Sequence, residues 1–454
     1  MVAKTSVIKE LEAIFDQGGN QLHILYGRED SEKEQLVKAF LQNKCCLYYR
    51  ARQASAEAQL QFFGAELQQK CDTYVNKYTY DEYFRRIKST GGDKFVLVVD
   101  EVQYIAKKDP SFLEAIMKLK ERKLYPGAVM ILLCSSSQVW VEKELEKQLT
   151  AEDKKKFDGT IKIQNLDFLE VVRAFPQYSV SDCVKVYGIV GGVPGYINRW
   201  DQRLDLKTNI CRNILSRNGY MNQAAERLIS SELRELSVYE TILGHIAAGY
   251  DKLNDIYQKT GFSRAKISVY MKNLAAFDII EKVVSFETGG WDNAKKGIYR
   301  IKDHYVNFWF HFIYPNLSDL HMMTTDEFYE AYIAPGIDSY LERYFKEVCR
   351  EYLRLLNMIG KLPMQISKMG TWVGKEGNID IIAQNSVREN IVGYCNWNEP
   401  EFTIEMCDNL FENMRLARIS AKYFFLFSAK TFSEEVKALA EEKDEFILID
   451  MNEL

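Results

Sequence analysis

The sequence has no apolar run long enough to cross a membrane. Its longest apolar runs span residues 95–99 and 128–134, whereas a transmembrane helix needs about 20 apolar residues. The N-terminal segment also lacks the apolar core and the small-residue cleavage site of a signal peptide. We therefore expect a cytoplasmic protein with no membrane partner.

Cysteine is present, but without the spacing of a metal site or a disulfide framework. The nine cysteines are scattered, none forms a C-x-x-C pair, and their odd number prevents complete pairing. The pattern predicts buried, reduced thiols rather than a zinc site or a set of disulfides.

Proline is scarce, with 8 residues in 454, while there are 27 tyrosines and 25 phenylalanines. This balance favours long, well-packed elements over flexible linkers, and the length corresponds to about three domains. The net charge of -5 argues against a protein that coats nucleic acid through bulk positive charge. A locally basic surface remains compatible with that charge.

The first 150 residues alternate short apolar runs with stretches of helical periodicity. Uninterrupted apolar strands separated by helices are typical of a parallel sheet that is covered on both faces. We therefore predict an α/β, doubly wound domain. The predicted strands are residues 22–26, 46–49, 95–99 and 129–134, and the predicted helices include residues 7–15 and 33–41.

The loop after the first predicted strand has part of a phosphate-binding motif. In G-x-x-x-x-G-K-[ST], backbone N–H groups wrap the phosphates, the lysine binds them and the hydroxyl binds Mg²⁺. Residues 27–34 read GREDSEKE, so Gly27 and Lys33 stand at the correct spacing. Glu32 replaces the second glycine and Glu34 replaces the hydroxyl. By itself this loop also fits a strand-turn-helix corner with a solvated lysine.

A second motif strengthens the nucleotide-binding interpretation. Residues 95–101 read FVLVVDE, an apolar strand that ends in Asp100 and Glu101. In a Walker B motif the aspartate holds Mg²⁺ and the glutamate orients the attacking water. Taken alone, the strand also fits a buried strand that happens to end in acids. The order of strand, altered loop, strand, Asp-Glu and then a third strand with Ser135 and Ser136 predicts a P-loop NTPase fold, although ATP binding itself stays open.

Several stretches resemble the archaeal-type ATPases of the AAA+/STAND group. They are LYGR at 25–28, VDEVQY at 99–104, LLCSSS at 132–137, GGVPGY at 191–196 and residues 303–312 with FWF at 308–310. The resemblance covers nearly the whole chain and implies ATP and Mg²⁺ as cofactors. It implies a P-loop ATPase core at 1–160, a helical lid at 161–231, a winged helix at 232–318 and a restriction-endonuclease-like α/β domain at 319–454.

The resemblance also assigns roles to particular residues. It implies that Ser135 and Ser136 occupy the position of the γ-phosphate sensor, and that Pro194 lies near the nucleotide. The alternative for Pro194 is a rigid turn between helices. The changes at Glu32 and Glu34 weaken the expectation of Mg²⁺ coordination, so ATP hydrolysis is expected to be weak or absent.

Residues 236–301 fit a winged helix, with three helices followed by a two-stranded wing. Arg264, Lys266 and Lys272 supply positive charge to the predicted recognition helix, and Lys295 and Lys296 lie in the wing loop. Residues 251–310 contain ten Lys or Arg against seven Asp or Glu, within an acidic chain. This pattern favours contact with double-stranded DNA. The alternative is a winged helix used for internal packing or for binding a protein partner.

The C-terminal domain has only part of the nuclease centre that the resemblance implies. Glu347 on a helix and Asp380 at the start of a strand match two of its acids, and both would also fit as surface acids. Tyr394 and Asn396 stand where the family has its second strand carboxylate and its lysine. Neither residue type supplies a metal carboxylate or a cationic amine. We therefore expect an intact fold with an inactive nuclease centre.

These observations favour a nucleotide-dependent switch or regulator, in which ATP closes the lid and repositions the winged helix. A homo-oligomer is a further expectation. The main alternative is a non-catalytic scaffold that has lost nucleotide binding. A working Mg²⁺-dependent nuclease is the least favoured, because of Tyr394 and Asn396.

Overall fold

The computed structural model describes residues 5–71, 79–86, 94–122, 127–286 and 297–454. The chain divides into two compact units, Met1–Asn165 and Leu166–Leu454. Within the described ranges, no helix is both long enough and apolar enough to span a bilayer. The eight cysteines whose side chains are described form no disulfide, and six of them are buried.

The first unit is built on a parallel sheet with the strand order β2-β3-β4-β1-β5. Every residue of β1, β3 and β4 is buried, as expected for apolar strands that are covered on both faces. The predicted parallel α/β sheet is confirmed, with an added edge strand, β5, that the sequence pattern did not indicate. The strands are β1 Gln21–Tyr26, β2 Cys46–Arg50, β3 Phe95–Asp100, β4 Val129–Ser135 and β5 Gly159–Lys162.

Helices cover both faces of this sheet, because alternate strand residues point to opposite sides. Val96 and Val98 pack in a core cluster that contains α1 and α2, whereas Leu97 and Val99 pack in a cluster that contains α3, α4 and α6. The helices are α1 Thr5–Asp16, α2 Lys33–Phe40, α3 Ala56–Cys71, α4 Tyr80–Arg86, α5 Gln103–Ala106, α6 Pro110–Glu121, α7 Leu145–Gln148 and α8 Ala151–Lys154.

The strand order brings three distant parts of the sequence to one edge of the sheet. β4 lies between β3 and β1, and Tyr26 at the end of β1 pairs in register with Ser135 at the end of β4. β3 ends beside them at Asp100. In open parallel sheets this carboxyl edge, where the chain leaves the strands, is the usual place of a ligand site.

The second unit begins with a helical region, as the sequence predicts for residues 165–235. Some of its turns are π-helical, including Cys211–Leu215. Its helices are α9 Phe168–Ala174, α10 Val180–Val190, α11 Pro194–Ile197, α12 Leu206–Ile210 and α13 Ala224–Glu232.

Three helices and an antiparallel strand pair follow, in the predicted order. Ser263 accepts a hydrogen bond from the backbone N–H of Lys266, so it caps the third of these helices as its sequence position suggests. The predicted wing residues Lys295 and Lys296 lie outside the described residues. The elements are α14 Leu236–Ala247, α15 Leu253–Thr260, α16 Arg264–Ala276, β6 Ile280–Val283 and β7 Ile298–Ile301.

The rest of the unit contains a mixed sheet with the order β14-β12-β10-β9-β8 and a short parallel pair, β11 and β13. A 22-residue helix, α20, contacts β9 and β10 of this sheet as well as α10. The elements are α17 His304–Phe308, α18 Leu317–Met322, α19 Thr325–Phe328, α20 Ile337–Met358, β8 Lys368–Val373, β9 Asn378–Gln384, β10 Asn390–Asn396, β11 Glu401–Phe402, α21 Ile404–Ala417, β12 Tyr423–Ser428, β13 Thr431–Phe432, α22 Glu434–Glu442 and β14 Phe446–Asp450.

Candidate functional site

Lys33 is the centre of a buried charge cluster at the carboxyl edge of the first sheet. It is the first residue of α2, and only 7% of its surface is exposed. Its Nζ lies 2.6 Å from Oδ1 of Asp100 and 2.9 Å from Oε1 of Glu101. The structure therefore brings together the lysine and both acids that the sequence predicts for a nucleotide site, and the lysine is not solvated.

Asp100 is held from both sides of its carboxylate. Oδ1 accepts hydrogen bonds from Lys33 and from the backbone N–H of Glu101, while Oδ2 accepts one of 2.8 Å from the hydroxyl of Tyr48. Tyr48 lies on β2, two residues before Arg50, which pairs in register with Asp100. No motif in the sequence points to Tyr48, since only the adjacency of β2 and β3 places it there.

Glu101 sits in the turn after β3 with a left-handed backbone, at φ 54°. Its Oε2 accepts hydrogen bonds of 2.6 Å from Nε2 of Gln103 and 2.5 Å from the hydroxyl of Ser136. Such a conformation costs a non-glycine residue roughly 1–2 kcal/mol. The strained turn directs the carboxylate toward Lys33 and the end of β4.

The serines after β4 join the same network. The hydroxyl of Ser135 donates to Oε1 of Gln103 at 2.8 Å and accepts from the backbone N–H of Ser137. The carbonyl oxygen of Ser135 also accepts from the N–H of Gly27, which ties the end of β4 to the start of the phosphate-type loop. Of the two predicted sensor serines, Ser136 thus hydrogen-bonds the predicted catalytic acid directly, whereas Ser135 is linked to it through Gln103.

The loop between β1 and α2 begins at Gly27 and contains two residues with left-handed backbones. A Cβ on Gly27 would lie 2.9 Å from the Cβ of Ile163 and from the hydroxyl oxygen of Ser31, so only glycine fits there without displacement. Asp30 and Glu32 both have left-handed φ values, of 64° and 59°. Left-handed residues alternating in a loop form the N–H concavities that bind phosphate in P-loops.

Burial and charge act in opposite directions on the cluster. Burial alone lowers the pKa of Lys33, but Asp100 and Glu101 outweigh it, so the pKa is raised and the amine stays charged. Burial alone raises the pKa of Glu101, but Lys33 and the hydrogen bonds from Ser136 and Gln103 outweigh it, so the pKa is lowered. Burial and the neighbouring Asp100 raise the pKa of the Tyr48 hydroxyl, which therefore keeps its proton.

These residues fit a nucleotide phosphate chain with a divalent cation. The loop supplies a cradle, Lys33 supplies a cation, and Asp100 supplies a carboxylate, the ligand type that Mg²⁺ prefers. The hydroxyl of Ser31 is buried and makes no hydrogen bond in this structure, so a polar donor is available in the loop. Glu34, in place of the usual hydroxyl, is about half exposed and lies 3.5 Å from Arg50.

Pro194 belongs to the second unit, where it starts the short helix α11 and is buried. Beside it, a Cβ on Gly192 would lie 1.8 Å from the carbonyl oxygen of Leu166, so the backbone packs closely at this turn. These contacts fit a rigid turn, and the predicted proximity of Pro194 to a nucleotide stays a prediction.

The three predicted DNA-binding residues of α16 do not share one face. Arg264 and Lys272 are exposed, and Ser268 lies between them at the same helical spacing. Lys266 is half-buried instead, with its amine over the rings of Phe262 and Tyr270. Arg264 donates to Oδ1 of Asn254 on α15.

The C-terminal domain contains a second lysine between two acids. Nζ of Lys346 lies 2.7 Å from Oε1 of Glu342, one turn earlier on α20, and 2.9 Å from Oδ1 of Asp380. The sequence suggests that Asp380 begins a strand, whereas the structure places it inside β9. Its Oδ2 accepts a hydrogen bond from the backbone N–H of Cys395. Sequence reasoning missed Glu342 and Lys346, although their i, i+4 spacing on a helix is visible in the sequence.

Glu347 is engaged elsewhere, because it lies on a different face of α20 from Lys346. Its carboxylate accepts from Nε of Arg343 at 3.1 Å and lies 3.3 Å from Nε2 of His304. Burial alone raises the pKa of Glu347. The hydrogen bond from His304 and the charge of Arg343 outweigh that effect and hold this pKa well below its usual range. Glu347 thus makes its contacts with Arg343 and His304. Its predicted grouping with Asp380 in a nuclease centre stays a prediction.

Tyr394 and Asn396 both lie on β10, at the positions where the resemblance places a carboxylate and a lysine. The ring of Tyr394 packs edge-on against Phe402, and Asn396 exchanges hydrogen bonds with the backbone of Glu399. Among the described residues, no group of three or more His, Cys, Asp or Glu side chains is arranged to hold a metal ion.

Two parts of the chain match known families. Residues 4–199 match a family described as an ATPase domain predominantly from Archaea. Residues 309–407 match a family described as archaeal and bacterial proteins of unknown function. Residues 4–199 are thus similar to an archaeal-type ATPase domain, and this stretch includes the parallel sheet of the first unit.

Three similar proteins are archaeal. An uncharacterized protein of Methanocaldococcus jannaschii is 26% identical over 387 residues, which cover 85% of this chain and 84% of the relative. A Walker-type ATPase of Pyrococcus abyssi matches 68% of this chain and 96% of its own, with 18% identity and a TM-score of 0.48. The ORC2 protein of Aeropyrum pernix, solved with ADPNP and ADP, matches 73% and 95%, with 10% identity and a TM-score of 0.47.

Proposed function

We propose that this protein is an ATP-binding switch of the AAA+/STAND type, in which the first unit binds ATP with Mg²⁺. One observation carries the proposal: Lys33, Asp100 and Glu101 meet in a buried cluster beside a loop with the backbone of a phosphate cradle. In this role Lys33 binds the phosphates, Asp100 holds the Mg²⁺, and Glu101 orients water for weak hydrolysis. The bound cation supplies charge neutralisation for the phosphates.

The acidic loop sets the character of this site. Glu32 and Glu34 add negative charge where a triphosphate approaches, so ATP binding is expected to be weaker than with a glycine and a hydroxyl at these positions. Lys33 is already paired with two carboxylates. Nucleotide binding therefore has to draw the lysine away from them, and this exchange of partners is the step that makes the site a switch.

Calorimetric titration with ATP, in the presence and absence of Mg²⁺, tests the proposal. We expect wild-type protein to bind at millimolar ATP or below, and expect Lys33→Ala and Gly27→Val to abolish the heat. Gly27→Val fills the loop without removing a charge, so it separates the cradle from the lysine. Lys44→Ala is the matched control, because Lys44 is a largely buried lysine paired with Glu12 at 2.8 Å in the same unit.

Absence of binding by the wild-type protein would overturn the proposal and would favour the alternative, a scaffold that has lost nucleotide binding. Binding that survives both Lys33→Ala and Gly27→Val would place the nucleotide elsewhere. Thermal unfolding of each variant is measured alongside, so that a loss of folding is not taken for a loss of binding.

A DNA-associated role is the second part of the proposal, and it depends on α14–β7 acting as a winged helix. The exposed stripe of Arg264, Ser268 and Lys272 on α16 supports it, since a recognition helix needs one polar face free for the groove. In gel-shift assays with duplex DNA against salt, we expect Arg264→Ala and Lys272→Ala each to reduce the salt slope by about one. Lys266→Ala should change the salt slope less, because Lys266 is half-buried against two rings. A flat salt response would argue for a packing or protein-binding module.

The restriction-endonuclease-like domain is proposed to be catalytically inactive. Lys346 is paired with both Glu342 and Asp380, and β10 carries Tyr394 and Asn396 in place of a carboxylate and a lysine. Incubation with plasmid and Mg²⁺ or Mn²⁺ should leave the DNA intact. Cleavage that Asp380→Asn abolishes would contradict this part of the proposal.

A further inference from the structure

Gln103 links the predicted catalytic acid to the predicted sensor serines. It begins α5, two residues after Glu101, and only 3% of its surface is exposed. Its Nε2 donates to Oε2 of Glu101 at 2.6 Å and lies 3.3 Å from the hydroxyl oxygen of Ser136. Its Oε1 accepts from the hydroxyl of Ser135 at 2.8 Å. One amide therefore spans the ends of β3 and β4.

The orientation of this amide follows from its partners. A carboxylate can only accept hydrogen bonds, so the NH₂ group of Gln103 must face Glu101 and the amide oxygen must face Ser135. The arrangement uses both ends of the side chain in a buried place, where an unpaired polar group would be costly. A nonpolar residue of similar size would fill the space but could not make either bond.

Ser136 has a single hydroxyl proton, which it donates to Glu101 in this structure. If that proton is donated to a γ-phosphate instead, Glu101 loses one of the two side-chain donors at its Oε2. Gln103 then becomes the side-chain donor that holds this oxygen. The amide thus determines where the carboxylate points once the sensor serines have turned to a nucleotide.

We infer that Gln103 is a positioning residue that couples the serines at the end of β4 to the carboxylate of Glu101, so that the site distinguishes ATP from ADP. The inference rests on the proposed function of the first unit as an ATP site. It adds a residue that neither the phosphate-loop motif nor the Asp-Glu motif includes.

The test compares the binding of ADP with that of the β,γ-imido analogue of ATP, with Mg²⁺, by calorimetry. Gln103→Leu removes every hydrogen bond of the amide. Gln103→Glu keeps an acceptor for Ser135 but puts a negative charge against Glu101. We expect the ratio of the ADP Kd to the analogue Kd to fall about tenfold in Gln103→Leu, as the loss of a hydrogen bond to a charged group implies, and to fall further in Gln103→Glu.

Gln59→Leu is the matched control. Gln59 is also fully buried in the first unit, but its amide bonds the hydroxyl of Tyr49 and the backbone of Arg52. Its loss should lower stability while leaving the Kd ratio within about twofold, because a general weakening of the fold affects both nucleotides alike.

The outcomes separate the inference from the proposed function. If wild-type protein binds neither nucleotide, the proposed function fails and the inference fails with it. If wild-type protein discriminates between the nucleotides and both Gln103 variants keep the same ratio, the inference alone is overturned. A ratio that falls equally in Gln59→Leu would also overturn it, since the effect would then come from packing.

Discussion

The molecule contains two clusters of the same composition, each a lysine between two acids. In the first unit Lys33 contacts Asp100 and Glu101, and in the C-terminal domain Lys346 contacts Glu342 and Asp380. The side chain of Lys33 is 8% exposed, whereas that of Lys346 is 26% exposed. The charges match, but the burial does not.

The surroundings of the two lysines differ even more than their burial. Lys33 follows a loop with two left-handed residues and faces acids that Tyr48, Gln103 and Ser136 also hold. Lys346 lies inside a long helix and joins that helix to β9 through Asp380. The same three residue types therefore occur in two different settings. What distinguishes the first cluster is the left-handed loop beside it and the hydrogen-bond network around it.

The largest effect should come from removing the first lysine. Lys33→Met leaves Asp100 and Glu101 buried without their cation, and we expect the free energy of unfolding to fall by about 3–5 kcal/mol. Denaturant unfolding at pH 7 measures the change. Lys33→Arg, which keeps the charge, should lower the free energy of unfolding by less. A change below about 1 kcal/mol in Lys33→Met would mean that the two clusters are energetically alike.

The next effect concerns Glu101 and depends on pH. Glu101→Gln should lower stability by roughly 2 kcal/mol at pH 7, through the loss of a charged acceptor for Lys33, Gln103 and Ser136. Because the pKa of Glu101 is lower in the folded protein than its ordinary value of 4.5, the wild-type advantage is fully present above about pH 4.5. It should then disappear as the pH falls through the lowered folded value.

Unfolding curves of wild type and Glu101→Gln between pH 3 and pH 8 measure this difference. A gap that stays constant down to pH 3 would show that the carboxylate charge is not the source of the stability.

A smaller effect is expected in the second cluster. Lys346→Met removes a partly exposed amine from Glu342 and Asp380. Water can still solvate these two acids in part, so we expect the free energy of unfolding to fall by only about 1 kcal/mol. The pKa of Lys346 is raised above its ordinary 10.5 by Asp380 and Glu342 against the effect of burial. The contribution of Lys346 to stability is therefore fully present below about pH 10.5, and it is lost only as the pH rises above that value. Nucleotide affinity should be the same as in wild type.

The smallest effect on stability, and one of opposite sign, should follow from Glu32→Gly. Glycine adopts the left-handed backbone of residue 32 without strain, so the change should stabilise the protein by up to about 1 kcal/mol. It also removes a negative charge from the loop, and we expect ATP to bind more tightly. Calorimetry and thermal unfolding measure the two effects. Glu34→Gln is the control, as it removes a charge without changing the backbone. Weaker ATP binding in Glu32→Gly would contradict the cradle interpretation.

Much of the first unit could be predicted because local patterns and the tertiary structure agree there. The apolar strands ending in Asp100 and in Ser135 have the same bounds, within a residue, in the pattern and in the structure. Tyr48 and Gln103 could not be identified in this way. Tyr48 reaches Asp100 only because β2 pairs with β3, and Gln103 spans two strand ends that are over 30 residues apart in the chain.

The C-terminal domain shows the opposite case. The sequence predicted its helix and strands, but it associated Asp380 with Glu347, while the structure pairs Asp380 with Lys346, one residue earlier on α20. One residue along a helix rotates the side chain by about 100°. A small difference in helix orientation therefore decides which acid or base faces the sheet, and hydrophobic periodicity alone does not resolve it.

By itself, the sequence determined the α/β class, the order of the elements and the residue types at the strand ends, since these depend on local periodicity and on the turn after each strand. It also showed that the loop after the first strand departs from the phosphate-binding motif at Glu32 and Glu34. Only the tertiary structure decided that Glu32 has a left-handed backbone, that Lys33 is buried between two acids, and which face of α20 meets Asp380. These properties depend on packing between distant segments, and a linear sequence carries no direct record of that packing.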